Sequence, residues 1–149
     1  MCTRDTFEKK QILIVEDEPV SLGFTIPEME VRRFRVETAE TQAEAKHLLA
    51  ERKYQALLLD LKIPAGRIGE PKTDPPLAEN GLAIVRDLSN GVFEPEGTER
   101  STPVFVITAL GPESEFVNEA RKLGVLQVFG KPVSPNLVAE TIRLTLEGK

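Results

Sequence analysis

Residues 56–60 read Ala-Leu-Leu-Leu-Asp: an unbroken apolar run that ends on a carboxylate. A short run of this kind is the signature of a strand covered on both faces, and such strands belong to parallel sheets packed between helices. Three more runs repeat the pattern: Ile12-Leu13-Ile14-Val15, Val104-Phe105-Val106-Ile107 and Leu126-Gln127-Val128-Phe129. A weaker strand is expected over Arg35–Ala39.

The segments between these runs carry helical spacing. Thr41 followed by Glu44 forms a capping box, and Ala45, Leu48 and Leu49 then share one face. Gly81–Leu88 presents Leu82, Val85 and Leu88, and the region 113–123 presents Phe116, Ala120 and Leu123. Ser134-Pro135 reads as an N-cap and first helical position, ahead of Leu137, Val138, Thr141, Ile142, Leu144 and Thr145. In the first helical region, Val20–Arg33, a stripe of Val20, Phe24, Val31 and Phe34 is crossed by Pro27, so a kink or two short helices meeting near Thr25 is expected. The order is βαβαβαβαβα, which predicts one doubly wound parallel α/β sheet of five strands.

The chain of 149 residues fits one domain, taken as 1–149 with an N-terminal stub at 1–9. Two long segments rich in Pro, Gly and charge, 65–80 and 89–102, are expected to be surface loops. The first leaves directly after Asp60 and so stands over the carboxyl ends of the strands. The single cysteine, Cys2, excludes an intrachain disulfide framework and suits a reducing compartment. A net charge of -5 argues against a nucleic-acid surface, and the densest basic cluster, Arg32, Arg33 and Arg35, reads as a solvated helix end. No stretch approaches the ~18 apolar residues of a membrane span and the N-terminus lacks a signal-peptide core, so a soluble cytoplasmic protein is expected.

In an open α/β sheet, ligands bind beyond the carboxyl ends of the strands, where the strand order reverses. The first strand delivers Glu16-Asp17-Glu18 there, the third Asp60, the fourth Thr108 and the fifth Lys131. Crowded carboxylates repel unless a cation shares the site, and hard oxygen ligands suit Mg²⁺. A hydroxyl and an ammonium match the equatorial oxygens of a transferring phosphoryl group, and a carboxylate is an accepted nucleophile on phosphorus. Each residue alone has an ordinary explanation as a turn acid, a strand threonine or a loop lysine. Their shared sheet edge is what those explanations leave unaccounted for.

The runs ILIVEDEP, LLLDLKIP, VFVITAL and GKPVSP, in this order, resemble the receiver domains of response regulators in two-component signalling, across essentially the whole chain. The resemblance implies the flavodoxin-like (βα)5 fold with strand order 2-1-3-4-5, of the chemotaxis-regulator-like single-domain kind. It implies that Asp60 is the phosphoacceptor, with Mg²⁺ held by Asp17, by Glu16 through water, by Asp60 and by the backbone carbonyl of Lys62. It implies further that Thr108 and Lys131 meet the phosphoryl group and that the peptide before Pro132 is cis. The implied partners are a histidine kinase or histidine phosphotransfer protein and a downstream protein, with no nucleic acid and no membrane insertion. Nothing after Glu147 reads as an output domain, so action by partner binding or onward phosphotransfer is expected, although a piece of a longer regulator gives the same sequence. The enzymatic activity expected is at most self-phosphorylation from phosphodonors and auto-dephosphorylation.

Three features depart from the family. Asp60 and Gly81 are 21 residues apart, far beyond the usual spacing, and the added segment carries Pro71, Pro75 and Pro76. It reads either as a partner-recognition or lid element or as a tolerated insertion. Val128 stands where the family commonly has the aromatic half of its threonine–aromatic switch. Pro27 interrupts the helix whose face often docks phosphodonors. The added segment and Val128 favour, as the alternative, a degenerate receiver used as a scaffold without phosphorylation, against which the intact acid–Asp–Thr–Lys set stands; Pro27 points only to altered partner specificity. Lys62 in place of a second aspartate disfavours an aspartyl phosphatase, and no Gly-rich fingerprint supports dinucleotide binding. His47, the only histidine, reads as a solvated helix residue, and Thr98–Thr102 and Lys72–Asp74 read as loop.

Overall fold

A computed structural model describes residues 9–148; most of the expected N-terminal stub, with Cys2, lies outside the described residues. The strands are β1 (Lys10–Val15), β2 (Phe34–Ala39), β3 (Ala56–Leu59), β4 (Val104–Thr108) and β5 (Gln127–Gly130). The helices are α1 (Thr25–Val31), α2 (Gln42–Glu51), α3 (Ala78–Ser89), α4 (Glu115–Lys122) and α5 (Pro135–Glu147), with a 3-10 turn at Pro19–Leu22. All strand pairs are parallel and the sheet order is β2-β1-β3-β4-β5, as expected.

Alternation along the strands divides the core in two, because successive side chains point to opposite faces. Leu13, Val15, Leu57, Leu59, Val104 and Val106 face Ala45 and Leu49 of α2, Leu82 and Val85 of α3 and Ala120 of α4. Ile12, Ile14, Leu58, Phe105 and Ile107 face Met29 of α1 and Val138, Ile142 and Leu146 of α5. β1, β3 and β4 are buried from end to end past the first residues of β1, which is why their sequences carry no polar break. β5 lies at the edge; Leu126 falls before it and is exposed, and only Phe129 within it is buried.

The chain breaks near Thr25 as expected, but Val20, Phe24 and Val31 of the apolar stripe assigned there face solvent, and only its Phe34 is buried. Val20 is 90% exposed, Phe24 80% and Val31 75%, while Leu22, Thr25, Met29 and Phe34 are buried. The break at Gly23-Phe24 rotates the two helical pieces against each other, so a single 3.6-residue period does not apply across it. Pro27 is the third residue of α1, where an N–H has no intrahelical partner to lose; the first such bond runs from Glu28 N–H to Phe24 O at 3.2 Å. Two other expected faces also shift: Phe116, Leu137 and Leu144 are exposed, whereas Val117, Ala139 and Leu146 are buried. Arg32 is no solvated helix end. It donates to Glu140 Oε1 at 2.9 Å and to Asn136, joining α1 to α5.

The 89–102 loop is only partly a surface excursion. Phe93 enters the core, and Thr98 is fully buried at the end of α2. The Thr98 hydroxyl donates to Arg52 O at 2.6 Å and accepts from Tyr54 N–H at 3.2 Å, and the Thr98 N–H donates to Leu49 O at 2.8 Å. These bonds satisfy backbone groups left open where α2 stops.

Candidate functional site

β1 pairs with β2 on one side and β3 on the other, so the strand order reverses beside β1 and a crevice opens beyond its carboxyl end. Glu16 and Asp17 leave β1 there, and Asp60 leaves β3. Two backbone bonds extend the ladder one step past the strands: Glu16 N–H to Ala39 O and Asp60 N–H to Val15 O, each 2.9 Å. The acidic side chains are therefore set by the sheet itself. Glu16 is 2% exposed and Asp60 7%.

Glu16, Asp17 and Asp60 each present one carboxylate oxygen within 4.8 Å of the others. Lys131, from the turn after β5, donates to Glu16 Oε1 at 2.8 Å and to Asp60 Oδ2 at 2.9 Å. The second Asp60 oxygen accepts the Lys62 N–H at 3.1 Å, and Glu16 Oε2 accepts the Glu18 N–H at 3.3 Å. Burial pulls the Lys131 ammonium down, but its bonds to Glu16 and Asp60 outweigh that and raise its pKa overall. Half-buried Asp17 is held above the usual carboxylate range, first by burial and then by the adjacent Glu16 carboxylate. Close carboxylates with one shared ammonium are the charge state that a divalent cation relieves, and the hard oxygen donor set fits Mg²⁺.

Thr108 ends β4 and is buried; it lies opposite Gly130, and its carbonyl accepts the Lys131 N–H at 2.8 Å. Its hydroxyl accepts the Leu110 N–H at 3.1 Å. The Lys131–Pro132 peptide is cis, as is Glu94–Pro95. Val128 pairs with Val106 and packs, half-buried, on the core face covered by α2, α3 and α4. Helix α3 begins at Ala78, not at Gly81, so the 65–80 loop ends earlier than expected. Gly81 inside the helix has a strict reason for being there, since a Cβ would lie 2.4 Å from Leu61 O, one residue past Asp60.

The structure thus brings Glu16, Asp17, Asp60 and Lys131 together, sets Thr108 beside Lys131, and turns the Lys62 N–H toward Asp60. Two rim residues change meaning in the structure: Lys72, read in the sequence as plain loop, and Glu40, which the sequence did not single out. Lys72, from the 65–80 segment, donates to Asp17 O and to Glu40 Oε1, the latter at 2.7 Å. Neither has a local signal, because the path of a long loop is a tertiary property. His47 lies in α2 beside Glu51, half exposed.

A parallel sheet in this order with an acidic cluster at its reversal point defines a class of α/β proteins that bind ligands at the strand ends. Residues 12–143 match the response regulator receiver domain model, and the chain belongs to that family. Among solved structures, it is similar to a CheY-like receiver domain protein from Methanospirillum hungatei JF-1 (22% identity, TM-score 0.69, covering 95% of this chain and 96% of that one). It is similar also to the chemotaxis response regulator CheY4 of Vibrio cholerae (17%, TM-score 0.70, 92% and 98%). A third is the receiver domain of a signal transduction histidine kinase from Syntrophus aciditrophicus (23%, TM-score 0.69, 93% and 91%). Comparison with curated proteins gives no match. The family places the chain in two-component signalling as a phosphoryl-accepting domain. Among the described residues no helix is long and apolar enough to cross a membrane.

Proposed function

We propose that Asp60 accepts a phosphoryl group from a phosphohistidine on a histidine kinase or phosphotransfer protein. The observation that carries this is the pairing of Asp60 with Lys131 inside the acidic cluster, on the strand end where the family's chemistry occurs. Asp17 and Asp60, with the Lys62 carbonyl and Glu16 through water, would hold Mg²⁺. The ion, when bound, neutralises charge on the phosphoryl oxygens.

The remaining work falls to the protein's own groups. An Asp60 oxygen attacks phosphorus, the P–N bond to the donor imidazole breaks as the P–O bond forms, and the imidazole leaves as the neutral base once it takes a proton. Lys131 already donates to Asp60, so its ammonium is in place to follow the charge onto the new phosphoryl oxygens. Among the described residues the Thr108 hydroxyl accepts the Leu110 N–H and donates to none, which leaves its proton for a phosphoryl oxygen. Phosphorylation adds about -1.5 to -2 charge and new acceptor oxygens beside these groups, the change to which a downstream partner would respond. Val128 favours a second reading, a receiver that binds partners without phosphorylation, because the aromatic half of the family's switch is missing.

Incubation with Mg²⁺ and acetyl phosphate, followed by intact mass, separates the two. The proposal expects one labile phosphoryl adduct that Asp60→Ala abolishes; no adduct with any donor supports the scaffold.

A further inference from the structure

We infer that Lys72, carried on the 65–80 segment, is a positioning residue for the acidic pair and sets the metal affinity of the site. This rests on the functional reading above only in taking Asp17 and Asp60 as the metal-holding carboxylates.

The segment is a strap with a fixed base and a fixed tip. An antiparallel bridge between Ile63 and Leu77 closes its base, with Leu77 N–H to Ile63 O at 3.0 Å. Its first limb lies across the start of α2, where Pro64 O and Ala65 O accept the N–H groups of Gln42 and Ala43 at 2.9 and 3.0 Å. Gly66 has φ +70, and a Cβ there would lie 2.5 Å from the Thr41 side chain, so the limb cannot lift without losing this seat. Asp74 Oδ2 accepts the Gly66 N–H at 2.9 Å and ties the returning limb to the outgoing one. Lys72 extends from between these anchors and bonds Asp17 O and Glu40 Oε1. Glu40 is itself held, its N–H donating to Glu44 Oε1 at 2.7 Å in the capping turn of α2.

Lys72 and Lys131 therefore act on the same cluster in different ways. Lys131 occupies carboxylate oxygens of Glu16 and Asp60, in competition with a cation. Lys72 takes the backbone carbonyl of Asp17 and leaves its carboxylate to the pocket. It fixes the turn that carries the ligand. Its charge would oppose a cation, but Glu40 at 2.7 Å neutralises it, so the positional effect outweighs the repulsion. By linkage, a metal that binds better to the latched turn must in return hold the strap down.

Calorimetric titration of Mg²⁺ alone into the wild type, K72M, E40Q and the double variant tests this. K72M is expected to weaken Mg²⁺ binding about tenfold, the low end for loss of an outer-shell partner. The double variant should be no weaker than K72M, since both substitutions remove one latch. Mg²⁺ should slow hydrogen exchange over 66–76 in the wild type and not in K72M, while labelling of K72M by acetyl phosphate recovers to the wild-type extent at saturating Mg²⁺. Unchanged or tighter Mg²⁺ binding in K72M, or additive losses in the double variant, overturns the inference and leaves the phosphoacceptor assignment standing. A wild type that shows the Lys72 dependence but never labels on Asp60 overturns the phosphoacceptor assignment and upholds the role of Lys72.

Discussion

The Lys131 ammonium donates to Asp60 Oδ2 at 2.9 Å and at the same time to Glu16 Oε1 at 2.8 Å, joining the turn after β5 to the ends of β3 and β1. Glu16 is almost fully buried, and this ammonium is its direct cationic partner. Lys131→Met should lower stability in the absence of metal by about 1–3 kcal/mol, less than for a fully buried pair because the lysine is partly exposed. Mg²⁺ should then raise the melting temperature of the variant more than that of the wild type, because the carboxylates have lost their only direct cation among the described residues. Thermal unfolding with and without Mg²⁺ measures both effects; equal Mg²⁺ shifts would mean that Lys131 and the metal do not share the cluster.

Thr98 satisfies the Arg52 carbonyl and the Tyr54 N–H in a site closed to water. Thr98→Val keeps the shape and removes both bonds. It should cost about 1–3 kcal/mol in urea unfolding, the desolvation cost of groups left unpaired. A change within about 0.5 kcal/mol, typical of an ordinary surface loop, would contradict this role for Thr98.

Pro27 separates two accounts of the first helix. Inside a continuous helix from Val20 to Arg33 its replacement by Ala would add roughly 3 kcal/mol. As the third residue of α1 it loses nothing, and Pro27→Ala should change the unfolding free energy by less than about 0.5 kcal/mol.

Glu140 lies between Arg143 and Arg32, whose hydrogen bonds hold its carboxyl down to about 2. A depressed folded-state value means that the group contributes stability above its ordinary value and loses it as pH falls toward about 2. The melting-temperature gap between the wild type and Glu140→Gln should therefore be constant above pH ~5 and close progressively on acidification. The gap should be small, since the carboxylate is solvent-exposed. A gap that widens at low pH has the wrong sign.

The strand ends could be read directly because burial on both faces leaves an unbroken apolar run, and the polar residue that ends each run marks the sheet edge. Asp60, Glu16-Asp17, Thr108 and Lys131 were all singled out this way, whereas the strand order came only with the resemblance to receiver domains. Helix faces were less legible. In α5 the adjacent Leu137 and Val138 both fit an apolar stripe, and only packing on β1 and β3 selects Val138. Thr98 and Lys72, both read as plain loop, were not legible in these roles, since each acts on residues more than thirty positions away along paths set by loops.

Mapping the phosphoryl group is the most direct test of the central claim. Borohydride reduces an acyl phosphate on aspartate to the homoserine side chain, which peptide fragmentation can locate. After treatment with acetyl phosphate and Mg²⁺, the account predicts homoserine at position 60, dependent on Mg²⁺ and absent from the unphosphorylated protein. Homoserine at another aspartate such as Asp17, the one-carbon-longer hydroxynorvaline at Glu16, or no reduced residue when intact mass shows an adduct, would contradict it.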